Sequence, residues 1–291
     1  MTVGFIGLGV MGGAMVRSLL RAGYAVHACD IQPERVAAVT ADGATAVPDA
    51  AALVAASDVV CTSLPSSESW VQLAEAVLLP NLRAGQVVVD FGTVTPPETR
   101  RLADAFAARG ASLIDAPCSG GVGGAQQGRL RLFAGGDPAA FERVHPILET
   151  VGGAEGLTYC GPSGMGQVVK GVNQLAMGLG AAAYLEAVAF GVRAGASPEV
   201  INRAVGGDSE GWRAMVRQTA RSAQEGRAEQ AGVKFRELPY YLEAAEAAGF
   251  DLPLARVLYG FCDAGERVVV DDNRPAPSFW HELMTRGRQS E

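Results

Sequence analysis

Residues 2–30, TVGFIGLGVMGGAMVRSLLRAGYAVHACD, decide the fold of the first half of the chain. The apolar run at residues 3–6 is typical of a buried strand, residues 10–22 have helical spacing, and residues 25–29 have the pattern of a second strand. The sequence GLGVMG, residues 7–12, joins the first strand to the helix. A strand, a tight turn, a helix and another strand in this order predict the first βαβ unit of a parallel sheet.

The turn at residues 7–12 has the chemistry of a phosphate-binding loop. Its first glycine permits a tight turn, its second lets the backbone approach a pyrophosphate, and its third allows the helix to pack closely on the strand. The residues predicted to contact a cofactor here are Gly7, Leu8, Gly9, Val10, Met11 and Gly12. Similar glycines occur in tight turns of folds that bind no cofactor, but the flanking strand and helix favour a dinucleotide.

Asp30 indicates which dinucleotide the turn binds. It ends the second predicted strand, about 20 residues after the glycines, where a carboxylate accepts hydrogen bonds from an adenosine ribose and repels a 2′-phosphate. We therefore expect NAD as the cofactor, with NADP as the alternative because Arg35 is near in the sequence.

The alternation of short apolar runs with helical patterns continues through the first half. Further strands are predicted at residues 58–63, 86–91, 112–114 and 130–134. From Gly164 onward strand signals nearly vanish, and the sequence is rich in Ala, Leu, Glu and Arg at helical spacing. We predict an α/β Rossmann-type doubly wound sheet in residues 1–161, followed by an all-α C-terminal domain in residues 162–291.

The composition narrows the possible partners and the compartment. A net charge of −7 disfavours nucleic acid and anionic membrane surfaces as partners. The five cysteines are scattered without a CxxC pair, and the three histidines share no ligand spacing, so we expect reduced thiols, no metal site and a cytoplasmic protein. Residues 172–195 approach membrane-spanning length, but Glu186 and Arg193 interrupt them, which favours a buried helix over a membrane span.

Lys170 is one of only two lysines in a chain whose other basic residues are arginines. It lies in a nearly uncharged, glycine-rich stretch with helical spacing. A desolvated lysine can lose its proton near neutral pH, whereas arginine stays protonated in proteins. The position therefore suggests proton transfer, and a lysine that extends from a buried helix into solvent is the alternative.

A second glycine-rich segment, DAPCSGGVGGA at residues 115–125, follows the strand predicted at residues 112–114. The hydroxyl of Ser119 and closely spaced backbone N–H groups suit a substrate carboxylate, because small residues expose donors without crowding the ligand. Taken alone, the segment is equally compatible with a turn that binds nothing.

Five motifs in a fixed order resemble the β-hydroxyacid dehydrogenase family over nearly the whole chain. They are GFIGLGVMGGAM (4–15), SLP (63–65), DFGTVTP (90–96), DAPCSGGVGGA (115–125) and GMGQVVKGVNQ (164–174). The family includes 3-hydroxyisobutyrate dehydrogenase, tartronate semialdehyde reductase and, more distantly, 6-phosphogluconate dehydrogenase. The resemblance implies an NAD(P)-dependent enzyme that interconverts a small β-hydroxy acid and its semialdehyde or keto acid. It also implies a homodimer or homotetramer.

The resemblance implies roles for individual residues as well. Lys170 matches the family's catalytic lysine, which acts as general acid and base. Asn173 and Gln174, one helical turn later, match positions that orient the substrate hydroxyl. The other implied contacts are Ser119, Gly120 and Gly121 for the substrate carboxylate, and Leu64, Pro65, Thr93 and Arg236 for the cofactor. Arg236 replaces a lysine of the family, although a shifted alignment places Lys234 there.

Some residues depart from the family pattern. Gly92 replaces the usual serine, and Arg129 and Arg131 replace small hydroxyl residues. These arginines are either solvated or contact an additional acidic group of the substrate. Two other functions remain open: an imine reductase, which shares this architecture but generally lacks the lysine, and a non-catalytic regulatory homologue, which tends to lose it. The presence of Lys170 favours the dehydrogenase.

Overall fold

The computed structural model describes residues 1–207, 211–226 and 237–261. The chain forms two compact units, the first spanning Met1–Gly171 and the second beginning at Val172. The division falls inside one long helix, Met165–Arg193, whose first two turns belong to the first unit. The domain boundary expected after residue 161 stays a prediction. The chain passes from one unit to the next within this helix.

The described residues of the first unit contain nine strands in one sheet. In chain order they are β1 (Thr2–Ile6), β2 (Ala25–Cys29), β3 (Thr45–Ala46), β4 (Val59–Thr62), β5 (Val87–Asp90), β6 (Ser112–Asp115), β7 (Cys118–Ser119), β8 (Arg131–Gly136) and β9 (Leu157–Gly161). The helices are α1 (Val10–Arg21), α2 (Pro33–Ala41), α3 (Ala50–Ala56), α4 (Ser67–Leu73), α5 (Leu79–Asn81), α6 (Pro96–Ala107), α7 (Gly121–Gln127), α8 (Pro138–Gly152) and the start of α9 (Met165–Arg193). A π-helical segment, Ala74–Leu78, joins α4 to α5.

The strand order is β3-β2-β1-β4-β5-β6-β8-β7, with β9 paired to β8. The strands from β3 to β6 are parallel, whereas β8 runs antiparallel to β6 and β7. The chain builds the sheet first on one side of β1 and then on the other, which is the doubly wound arrangement. The predicted Rossmann-type fold is thereby confirmed.

The register of the parallel strands positions the candidate site. Thr62 is paired with Asp90, and Asp90 with Asp115, so the carboxyl ends of β4, β5 and β6 lie side by side. Ile6, the last residue of β1, is paired with Thr62 in the same row. The loops that follow these four strands therefore start at one edge of the sheet, which is where ligands bind in open α/β folds.

The core of the first unit lies on both faces of the sheet. Val87 and Val89 of β5 belong to one buried cluster and Val88 to the other, as alternation along a strand requires. This double burial explains why central strands appear in the sequence as continuous apolar runs. Met15 of α1 and Trp70 of α4 are almost fully buried in the two clusters, and each such side chain stabilises the fold by about 1.5–3 kcal/mol or more.

Helices α6 and α8 begin where the sequence supplies a cap. Thr95 precedes α6 and Asp137 precedes α8, and each side chain accepts a hydrogen bond from a backbone N–H in the first turn. A proline follows each cap, where its fixed φ is already helical and its missing N–H leaves no hydrogen bond unmade.

The described residues of the second unit contain helices and no strand, as the sequence predicts. They are the remainder of α9, α10 (Pro198–Ile201), the π-helical segment Asn202–Gly206, α11 (Trp212–Gln224), α12 (Leu238–Ala247) and α13 (Pro253–Phe261). Met165–Val192 is the one helix of the described residues that is long and apolar enough to cross a membrane. Leu185, Val188 and Ala189 of this helix are buried in the core of the second unit, whereas Val172, Met177 and Phe190 are exposed, so the expected interior helix stays a prediction.

Candidate active site

The glycine turn after β1 has no space for larger side chains at two of its positions. Gly7 has a φ of 90°, which favours glycine, and a Cβ there would lie 3.0 Å from Leu64 Cδ2. A Cβ at Gly12 would overlap the carbonyl oxygen of Gly7 and lie 3.0 Å from its carbonyl carbon. Gly9 precedes α1 and provides no side-chain cap. The first N–H groups of α1 are thus left for an anion, as a pyrophosphate-binding turn requires.

Asp30 connects the end of β2 to this turn. Its Oδ2 accepts a hydrogen bond of 2.6 Å from Leu8 N, and its Oδ1 accepts one of 2.8 Å from Gln32 N. Arg35 Nη1 lies 3.7 Å from Oδ2, and the Asp30 side chain is only 4% exposed. Asp30 therefore holds the turn in shape, while its remaining lone pairs can accept from a ribose hydroxyl.

Three other predicted cofactor residues lie on the loops that follow β4 and β5. Leu64 is half-buried beside Gly7, Pro65 is exposed, and Thr93 is half-buried between Gly92 and Val94. These loops start at the same edge of the sheet as the glycine turn. Arg236 and the alternative Lys234 lie outside the described residues.

Lys170 lies beside the second glycine-rich segment. It is 6% exposed, and its Nζ donates a hydrogen bond of 2.8 Å to Cys118 O in β7. Ser119 is the next residue of β7, and Gly120 and Gly121 follow with φ values of 126° and 61° at the start of α7. The structure thus brings Lys170 next to the segment predicted to bind a carboxylate. The ammonium does not extend into solvent, which disfavours the alternative interpretation of this lysine.

The two other predicted catalytic residues follow Lys170 on α9. Asn173 is half-buried and Gln174 is 8% exposed. Both belong to the second unit, whereas Lys170 and Ser119 belong to the first.

Asp115 caps the N-terminus of α9, a role that the sequence did not indicate. Its Oδ1 accepts 2.8 Å from Gly164 N and its Oδ2 accepts 3.0 Å from Gln167 N. Burial raises the pKa of Asp115 to about 6, although the backbone N–H groups of Gly164, Gln167 and Gly166 oppose the shift. The only sequence signal for this contact is that Asp115 and Gln167 both stand inside the family motifs.

Gln167 joins α9 to the loop after β5. Its Nε2 donates 3.0 Å to Gly92 O, and its Oε1 accepts 3.2 Å from Val94 N. The residue is 0% exposed. The backbone on both sides of Thr93 is therefore held by one side chain of the helix that carries Lys170.

Asp90 ends β5 and is buried. Thr62 Oγ1 and Gly92 N donate to its Oδ1 at 2.7 and 3.1 Å, while its Oδ2 has no hydrogen-bond partner within the described part of the chain. Burial raises the pKa of Asp90 to about 7. Burial likewise raises the pKa of the Cys118 thiol to about 11, so this cysteine is a neutral thiol and not a nucleophile at neutral pH.

The remaining residues singled out in the sequence contribute less. Arg129 and Arg131 are exposed, Arg129 donates to Gln127, and Arg131 is paired across the β7–β8 ladder with Ser119. Among residues 1–207, 211–226 and 237–261, no cluster of His, Cys, Asp and Glu is suited to a metal ion.

Comparisons with known proteins agree with this geometry. Residues 2–161 match the family described as the NAD binding domain of 6-phosphogluconate dehydrogenase, and residues 164–273 match the family described as NAD-binding of NADP-dependent 3-hydroxyisobutyrate dehydrogenase. The chain is 34% identical over 290 residues to 2-(hydroxymethyl)glutarate dehydrogenase of Eubacterium barkeri, covering 97% of this chain and 95% of that protein. It is 36% identical over 212 residues to 2-hydroxy-3-oxopropionate reductase of Escherichia coli, covering 71% and 70%.

Solved structures show the same fold. The Mycobacterium tuberculosis 3-hydroxyisobutyrate dehydrogenase with L-serine superposes with a TM-score of 0.78 at 25% identity, covering 98% of each chain. An imine reductase of Bacillus cereus has a TM-score of 0.64 at 21% identity, covering 97% of this chain and 98% of that one, which shows the fold alone.

Proposed function

The chain belongs to the β-hydroxyacid dehydrogenase family and is an NAD(P)-dependent oxidoreductase of small hydroxy acids, and from this premise we propose that Lys170 is its general acid and base. The reaction is the interconversion of a small β-hydroxy acid and its semialdehyde or keto acid. The observation that carries the proposal is the position of Lys170, buried and 2.8 Å from Cys118 O, beside the Ser119–Gly121 segment.

The glycine turn fits the cofactor. Gly7 and Gly12 leave space that a Cβ would fill, α1 begins there with uncapped N–H groups, and Asp30 lies at the end of β2. NAD(P), when bound at these residues, would supply the hydride acceptor for oxidation and the hydride donor for reduction. We assign cofactor contacts to residues 7–12, Leu64, Pro65 and Thr93, and the family resemblance adds either Arg236 or Lys234, which lie outside the described residues. Asp30 favours NAD because a carboxylate repels the 2′-phosphate of NADP.

The substrate carboxylate is assigned to Ser119 and the backbone N–H groups of Gly120 and Gly121. Both glycines have positive φ values, which glycine adopts readily, and neither carries a side chain that would keep an anion from its backbone N–H. Asn173 and Gln174 are assigned to the substrate hydroxyl. The carboxylate contacts and Lys170, all in the first unit, would fix the orientation of the carbon that loses the hydride.

In the oxidative direction, Lys170 Nζ in its neutral form takes the hydroxyl proton as the carbonyl double bond forms. In the reductive direction, the ammonium returns that proton to the carbonyl oxygen. An arginine at this position could not exchange a proton, because the guanidinium stays charged. This difference explains the retention of a lysine in a chain that otherwise uses arginine for positive charge.

We also propose a cytoplasmic homodimer, or a homotetramer built from it. On α9, Val172 and Phe190 are 63% and 76% exposed and, about five helical turns apart, lie on one face of the helix, which a second copy would cover. The four cysteines of the described residues are free thiols, which suits a reducing compartment.

A substrate panel tests the proposed reaction. Formation of reduced nicotinamide is followed by absorbance with 3-hydroxyisobutyrate, L-serine, glycerate and 2-(hydroxymethyl)glutarate, and its consumption is followed with cyclic imines. Turnover of at least one β-hydroxy acid, with NAD preferred, is the expected result. Turnover of imines alone would establish the imine reductase instead, and cofactor binding without any turnover would establish the regulatory homologue.

A further inference from the structure

Gln167 contacts two of the segments on which the proposed chemistry depends and stands one helical turn before the third, Lys170. Its backbone N–H is bound by Asp115, whose strand leads into the Cys118–Ser119 segment. Its amide is bound on one side to Gly92 O and on the other to Val94 N. Lys170 stands one helical turn later on α9. Asp115 and the Lys170–Cys118 hydrogen bond hold α9 against the segment at residues 115–121, and the side chain of Gln167 ties the loop around Thr93 to the same helix.

The contacts of Gln167 require an amide in particular. Gly92 O needs a donor and Val94 N needs an acceptor, and an amide side chain supplies both at its two ends. A carboxylate of the same shape supplies only the acceptor and places negative charge against Gly92 O. The site is 0% exposed, so water does not replace a missing partner there without rearrangement.

We infer that Gln167 is a positioning residue, which sets the distance between the Thr93 loop and Lys170 and thereby aligns hydride transfer with proton transfer. The inference rests on the proposed function, because it takes Thr93 as a cofactor contact and Lys170 as the proton carrier. The side-chain amide of Gln167 contacts the backbone groups Gly92 O and Val94 N. Errors of about 1 Å in such an alignment reduce turnover by about 100-fold without removing any catalytic group.

The chain contains a matched control in Gln86. This glutamine is also buried, its Nε2 donates 2.8 Å to both Val54 O and Ser57 O, and its Oε1 accepts 2.7 Å from Arg83 N. It precedes β5, at the opposite end of the strand from Gly92. Gln86→Glu therefore makes the same chemical change in the same domain, away from the candidate site.

The experiment compares Gln167→Glu with Gln86→Glu in the full chain. For Gln167→Glu we expect kcat to fall at least about tenfold at alkaline pH, with the Kd for NAD changed less than about threefold. A substrate deuterated at the hydride-bearing carbon should give a larger isotope effect on kcat than in the wild type. As the pH falls, the introduced carboxylate becomes protonated and can donate to Gly92 O, so the ratio of variant to wild-type kcat should recover.

The neighbouring groups Asp90, Asp115, Cys118 and Lys170 titrate in both enzymes. Dividing the kcat of the variant by the kcat of the wild type at the same pH corrects for this shared pH dependence. Gln86→Glu should lose thermal stability but keep kcat within about twofold at every pH. Equal kcat losses in the two variants, or a Gln167→Glu loss without acid recovery and without a changed isotope effect, would overturn the inference. If Gln167→Glu does not fold, Gln167→Met and Gln86→Met provide the same comparison of kcat and isotope effect. Failure of the proposed function is separate, because it would appear as retained turnover in Lys170 variants whatever Gln167 does.

Discussion

Replacing Gly12 with alanine should disrupt both the glycine turn and cofactor binding. The added Cβ would overlap Gly7 O and would lie 3.0 Å from Gly7 C and 3.1 Å from Phe5 Cε1, so α1 or the turn must move. Overpacking of this kind costs about 1–3 kcal/mol, which lowers the melting temperature of a chain of this size by several degrees. The moved turn would also lose a charge-assisted hydrogen bond to the pyrophosphate, worth about 1.5–3 kcal/mol. We therefore expect the Kd for NAD to rise at least about tenfold.

Gly13→Ala is the matched control. Its Cβ would lie 3.3 Å from Leu8 O and 3.5 Å from Arg17 Nη1, which a shift of a few tenths of an ångström accommodates. Alanine also gains about 1 kcal/mol over glycine inside a helix. Isothermal titration with NAD and thermal melting should show a Kd within about twofold of wild type and an unchanged or higher melting temperature. Equal NAD affinity in Gly12→Ala and wild type, or equal damage in the two variants, would refute the assignment of the turn.

Two further predictions concern the buried carboxylates. Burial raises the pKa of Asp90 to about 7, so its contribution to the free energy of unfolding is complete in acid and is lost as the pH rises through 7. Asp90→Asn should then be more stable than wild type at alkaline pH, by up to about 4 kcal/mol, and lose this advantage in acid; a pH-independent difference in urea titrations would contradict this sign. The wild-type enzyme should prefer NAD over NADP by at least about tenfold in kcat/KM, and Asp30→Asn should reduce this ratio. A wild-type enzyme that uses both cofactors equally would contradict the role given to Asp30.

Much of the fold could be predicted because its signals are local. The strand Val87–Asp90, with its three consecutive valines, and the glycine turn follow from neighbouring residues, and the parallel sheet follows from the alternation of strands with helices. The short strand β7 and the helix α7 could not be predicted, because glycine disfavours helix and β7 exists only through pairing with the distant β8. That the first turns of α9 belong to the first unit could not be predicted either, because the contact that holds them there is made by Asp115, about 50 residues earlier in the chain.

Some residues of the candidate site could likewise be predicted from the sequence, and others could not. Lys170 was visible because its residue type is unusual in this chain, and Ser119 because it stands in a glycine-rich motif. Gln167 was not visible as a positioning residue, because its partners Gly92 and Val94 are backbone groups more than 70 residues away. Hydrogen bonds from a side chain to distant backbone leave no periodic or compositional trace in a sequence.

The most direct test of the account is the rate of hydride transfer in Lys170→Arg, measured in a single turnover with saturating NAD and the best substrate of the panel. Arginine keeps the positive charge and the hydrogen-bond donors but cannot take up the hydroxyl proton. We predict that the rate falls by about 100-fold to 10,000-fold, with the Kd for NAD and the melting temperature close to wild type. Lys170→Met should show the same loss. A Lys170→Arg enzyme that is folded, binds NAD and transfers hydride at the wild-type rate would contradict the central claim.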